Sequence, residues 1–125
     1  MQFLDLQGYS YEPHDALLPL LSRILLHCGS RIHDRHSLSP SSFEILLEIE
    51  LHSILDLYAG LIASGLELTR SNHLALTDLC TCRKYLLGSS DERRIVAIRI
   101  EIAFLHPQDR DPYLHALRTP RSSTA

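Results

Sequence analysis

Residues 43–82 read FEILLEIELHSILDLYAGLIASGLELTRSNHLALTDLCTC, and the fold turns on how this run is phased. Phe43, Ile45, Leu47, Ile49 and Leu51 are apolar at every second position, with Glu44, Glu48 and Glu50 between them and only Leu46 out of phase. Such alternation sets one face in a core and the other in water, so 43–51 reads as a strand. Ser53, with Asp56 three residues on, supplies an N-cap signal. Ile54, Leu57, Tyr58, Leu61 and Ile62 then recur at helical spacing, and Gly65 stands where a left-handed C-cap stops a helix. From Leu66 the period returns to two. Leu66, Leu68, Leu74, Leu76, Cys80 and Cys82 share one parity; Glu67, Thr69, Ser71, His73, Thr77 and Thr81 share the other. Extended chain to Cys82 is therefore expected, as one bent strand or as a hairpin turning at Ser71-Asn72. A helix over 74–87 is the alternative.

Composition sets the frame. A chain of 125 residues makes one domain with room for a core. Its apolar fraction of 45% is too high for a disordered chain. The net charge of −3 weighs against a broad nucleic-acid surface. No apolar run reaches bilayer length and no leader-like segment opens the chain, so no membrane partner is expected and the location is read as cytoplasmic. Three cysteines make no disulfide pattern. Eight histidines would, if all protonated, turn the formal charge positive, which suggests a pH-responsive surface.

Outward from the central run, Phe3 to Tyr9 reads as a first strand. A Gly8–Pro13 loop leads into a helix with the stripe Leu17, Leu20, Leu21, Ile24, Leu25 and Cys28. Pro19 places the start of its regular part nearby, and Gly29 ends it. Arg31 to Leu38 reads as a strand, and Ser39-Pro40-Ser41-Ser42 turns the chain back. Gly88-Ser89-Ser90-Asp91 is a loop. Val96, Ile98, Ile100, Ile102 and Phe104 alternate with Ala97, Arg99, Glu101 and Ala103, a strand as clear as the one at Phe43. Residues 1–110 form the domain, and 111–125 a tail in which Tyr113, Leu114 and Leu117 offer a short helical turn. The expected class is α+β: a ferredoxin-like βαββαβ antiparallel sheet, two helices on one face and an additional C-terminal strand.

The first strand, the Leu17–Cys28 helix, Ile32–Leu51 and the run Leu57-Tyr58-x-x-Leu61-x-x-x-Gly65-Leu66-Glu67-Leu68 together resemble the ACT-type small-molecule-sensing domain over roughly residues 3–82. Members carry an Asp-x-Pro-Gly-like turn after the first strand; here that place reads Tyr11-Glu12-Pro13-His14, with His14 at the ligand-binding glycine. The resemblance implies self-association and an interface ligand site, and no catalysis.

Three constellations carry candidate chemistry. Cys80 and Cys82, two apart on a strand, would share a face and could hold a metal with His73 or form a redox pair, although Cys28 or His73 would have to complete the ligand set. The plainer reading makes both cysteines core. His33-Asp34-Arg35-His36 would set its histidines on opposite sides of a strand, too far round to chelate one ion. Tyr9, Tyr11, Glu12 and His14 gather a hydroxyl, a carboxylate and an imidazole after the first strand, the best candidate rim for a small-molecule ligand. There is no phosphate-cradling glycine loop, nucleophile elbow or His-Glu-x-x-His. The expectation is a non-enzymatic ligand-sensing or protein-interaction domain that forms a homodimer through its sheet. The alternative is a small metal- or thiol-dependent protein using Cys80 and Cys82. No cofactor can be named.

Overall fold

The structure, a computed structural model, describes residues 2–85 and 93–105. The loop read at 88–91 and the tail with Tyr113, Leu114 and Leu117 lie outside the described residues. In chain order the elements are β1 (Gln2–Ser10), α1 (His14–His27), β2 (Arg31–Ser39), β3 (Ser42–Glu50), a 3-10 turn (Leu51–Ser53), α2 (Ile54–Ala63), β4 (Glu67–Leu68), α3 (Arg70–Tyr85) and β5 (Ile95–Phe104). The α+β class is as expected.

The alternating strands sort their side chains as the pattern requires. Leu6 of β1, Ile45, Leu47 and Ile49 of β3, and Val96, Ile98, Ile100 and Ile102 of β5 are all buried. They form one cluster with Leu17, Leu21 and Leu25 of α1, Leu57 and Leu61 of α2, and Leu76 and Leu79 of α3. Each such leucine or isoleucine withdrawn from water stabilises the fold by about 1.5–3 kcal/mol. All three helices thus share the core on one face of the sheet.

The sheet order is β2-β3-β5-β1-β4. This differs from the expected ferredoxin-like arrangement, because β5 enters the middle of the sheet. It runs parallel to β1 from Gln2↔Val96 to Ser10↔Phe104 and antiparallel to β3 from Ser42↔Ala103 to Glu50↔Ile95. The sheet is therefore mixed rather than antiparallel. The most apolar strand takes the most enclosed place, paired on both sides, which removes the exposed-edge hazard that its sequence would carry.

Residues 70–85 are helical, where period two called for extended chain. Thr69 explains the start: its Oγ1 accepts the Asn72 N–H at 3.2 Å and its carbonyl accepts the His73 N–H at 3.0 Å, which is N-cap behaviour. Asn72, Leu76 and Leu79 then fall inward at helical spacing, while Leu74, on the same strand parity as Leu76, is 57% exposed. Extended pairing survives only at Glu67–Leu68, opposite Gly8 and Tyr9.

Helix α1 begins at His14, ahead of the start inferred from Pro19. The proline lacks the N–H that would reach the Asp15 carbonyl, and Asp15 sits in the exposed first turn, where water can replace that bond. At its other end Gly29, with φ +82°, closes the helix: its N–H bonds the Leu26 carbonyl at 3.0 Å and the Ser30 N–H bonds the Leu25 carbonyl at 3.2 Å.

Candidate functional site

The helix-free face of the sheet carries a polar network centred on Arg99. This residue lies on the outward parity of β5, opposite Leu46 of β3 and Asp5 of β1. Its guanidinium donates to Glu44, to Glu101 at 2.7 Å and to Asp5 at 3.0 Å. These carboxylates hold the Arg99 pKa well above its ordinary value, the bonds to Glu101 and Glu44 counting most. In return, the bond from Arg99 holds the Glu101 carboxyl below the usual carboxylate range, and Gln7 adds a second donor at 3.5 Å. The network continues across β3, where Glu44 meets His36 at 3.1 Å, and His36 meets Asp34 at 3.2 Å. It spans four strands, and carboxylates outnumber cations on it. Arg99 and its partners show in the sequence only as polar residues of alternating strands. Their convergence depends on the β3–β5–β1 register, which no local pattern reveals.

Both histidines of the His33–His36 run reach this face. The register against β3 slips between Ile32 and Asp34, so His33 occupies a bulge and swings to Glu48 at 3.2 Å, while His36 faces Glu44. The expectation that strand geometry sends them to opposite sides is corrected by that one-residue insertion. Each imidazole meets its own glutamate, so the pair does not converge on one ion.

The loop after β1 is organised, but its candidate residues do not face one pocket. Ser10 Oγ accepts the Glu12 N–H at 3.1 Å and donates to the Glu12 carbonyl at 2.9 Å, closing a tight turn. Tyr9 pairs with Ala103 on the helix-free side and is partly exposed. Tyr11 reaches across to Glu67 of β4, its hydroxyl donating at 3.4 Å. Glu12 is exposed. His14 begins α1 with its ring on Phe104, centroids 3.9 Å apart. Of the four, Tyr9 belongs to one side of the sheet and His14 to the other.

Cys80 and Cys82 lie on α3, so the shared strand face expected for them does not exist. Two residues along a helix is about 200° of rotation, so positions 80 and 82 fall on opposite sides of it. Cys80 is half-buried against the core. His73 is held elsewhere, with its Nδ1 2.7 Å from the Tyr58 hydroxyl of α2. Among the described residues, no three His, Cys, Asp or Glu side chains group as a metal site would require.

Two hollows flank α1. A groove of about 640 Å³ lies between α1 and α2, where Leu20, Ile24, Ala59 and Gly60 form an apolar floor beneath Arg23, His27 and Asp56. Cys28 opens into it; burial, with Asp56 nearby, raises its thiol pKa, which keeps it protonated and a poor nucleophile. A smaller notch of about 290 Å³ separates α1 from β2, and there Arg35 donates to Ser22 Oγ at 2.9 Å.

The two edges of the sheet differ sharply. On the β1 side, β4 covers Gly8 and Tyr9, and the chain beyond is closed by a side chain: Asn72 Oδ1 accepts the Gln7 N–H at 2.6 Å and Nδ2 donates to the Asp5 carbonyl at 3.0 Å. On the other side β2 runs nine residues, and among the described residues nothing pairs with its outer edge. No family model, curated protein or solved structure matches the chain. Among the described residues no helix is long and apolar enough to cross a membrane.

Proposed function

We propose that this chain is a non-enzymatic protein-interaction domain that forms a homodimer through its sheet. The observation behind this reading is the asymmetry of the edges: β1 is covered from Asp5 to Tyr9 by the Asn72 amide and β4, whereas among the described residues nothing pairs with the outer edge of β2. An unpaired strand edge is a template for another strand, and pairing there extends the hydrogen-bonded ladder without rearranging the core. A partner-binding role also suits the helix-free face, whose polar groups bond to one another as a solvated structural surface does. The ligand-sensing form of the reading would place a small molecule by Tyr9, Tyr11, Glu12 and His14, and their division between two sides of the sheet favours the interaction form. Light scattering coupled to size exclusion at micromolar concentration tests it. A dimer mass is expected, and a strict monomer overturns the proposal.

A further inference from the structure

The homodimer reading leaves open how a second copy would sit, and the structure restricts the choice severely. Pairing face to face is opposed by charge. On the helix-free side Asp5, Asp34, Glu44, Glu48 and Glu101 outnumber Arg31 and Arg99, so two such faces repel. The β1 edge is covered from Asp5 to Tyr9 by the Asn72 amide and β4. There remains β2, whose register against β3 is interrupted between Ile32 and Asp34 and again between Ser37 and Ser39, leaving 34–37 as its regular run.

Within that run the faces alternate. Asp34 and His36 pair with Leu46 and Glu44, on the helix-free side, whereas Arg35 and Ser37 pair with Ile45 and Phe43, on the helix side. Two copies joined edge to edge by a twofold axis normal to the sheet keep their faces, and directly opposed residues of an antiparallel pair must point to the same side. The axis must therefore pass through a residue, never midway between two. Axes at Asp34 or Ser37 run at once into the bulged positions. An axis at Arg35 sets that guanidinium against its own copy, a like-charge pair, and its bond to Ser22 limits its escape. An axis at His36 opposes two imidazoles, each already held between Glu44 and Asp34 of its own copy, and places Arg35 beside Ser37 of the partner subunit.

We propose that a second copy of this chain pairs antiparallel along β2 on a twofold axis at His36, joining the two sheets into one continuous sheet. This rests on the homodimer reading and adds its register. Opposed Cα atoms in an antiparallel pair lie about 4.5–5.5 Å apart, within disulfide reach. In the full chain with Cys28, Cys80 and Cys82 replaced by serine, His36→Cys is expected to cross-link into a covalent dimer under mild oxidation, and Arg35→Cys is not. A second test keeps the native cysteines. Ser37→Arg would oppose Arg35 of the partner subunit twice and weaken the dimer by roughly threefold or more, while Ser37→Asp would tighten it comparably. Cross-linking through position 35, or a dissociation constant indifferent to both changes at position 37, overturns the register while a dimer mass leaves the homodimer standing. A monomer at every concentration overturns both. If the serine background fails to fold, the pair of Ser37 variants decides alone.

Discussion

Asn72 offers the sharpest test of how the β1 edge is closed. It is a helix residue doing the work of a strand: its side-chain amide supplies the acceptor and the donor that a neighbouring strand would present to Gln7 N–H and Asp5 C=O. The two backbone groups also fix which way the amide points, since the N–H requires the oxygen and the carbonyl requires the nitrogen. At 7% exposure the amide has little access to replacement water. Asn72→Ala leaves one donor and one acceptor without protein partners, at about 1–3 kcal/mol each when buried. Both bonds are only part-buried on the β1 side, so the lower half applies, for a total of about 2–4 kcal/mol. For a domain of this size that corresponds to a fall in Tm of about 10 °C. Asn72→Asp should cost more, because a carboxylate would face the Asp5 carbonyl. Urea denaturation gives the free energy, and hydrogen exchange at the Gln7 amide reports the edge locally. A loss under about 0.5 kcal/mol with unchanged exchange at Gln7 would refute the role given to this side chain.

Three further outcomes follow from the same geometry. Leu76→Ala should destabilise the fold by about 2–5 kcal/mol and Leu74→Ala by no more than about 0.5 kcal/mol, a contrast that extended chain, with both on one side, could not produce; equal losses in urea melts would contradict helix α3. Arg99→Met strands Glu44, Glu101 and Asp5 together and should cost about 1 kcal/mol at neutral pH. Because Glu101 has its pKa lowered in the fold, the wild type holds that stabilisation above the ordinary carboxylate pKa and loses it as pH falls through the folded value, so the gap between the two proteins should narrow on acidification; a gap that widens in acid reverses the assignment. Cys28, with its pKa raised, should alkylate more slowly than an unfolded-chain cysteine at neutral pH, as mass spectrometry of the labelled peptides would show; equal rates would contradict the burial given to it.

Much of this architecture is written in local patterns. The strands at β3 and β5 and the helix α2 alternate or recur so regularly that burial on one face left them little choice. Residues 69–82 misled because Leu74, Leu76, Cys80 and Cys82 happen to share a parity. Leu79, which breaks that parity, and Thr69, a good N-cap placed three residues before Asn72, were the signals for a helix. The place of β5 in the sheet was beyond local reading, since nothing within a strand says which neighbours it will take. The same limit hid the Arg99 network, whose members lie on four strands and meet only through register. The joint turn of His33 and His36 to the open face depended on a bulge, which shifts phase without any glycine or proline to announce it.

The two sheet edges differ most in their pairing: β1 is covered from Asp5 to Tyr9, while among the described residues the outer edge of β2 has no partner strand. Residue-resolved amide hydrogen exchange across a concentration series tests this contrast directly. Protection within 34–37 should rise with protein concentration as β2 acquires a partner strand, while the Gln7 amide stays protected throughout. Protection in 34–37 that ignores concentration, or a Gln7 amide that exchanges as fast as the β2 edge, would contradict it.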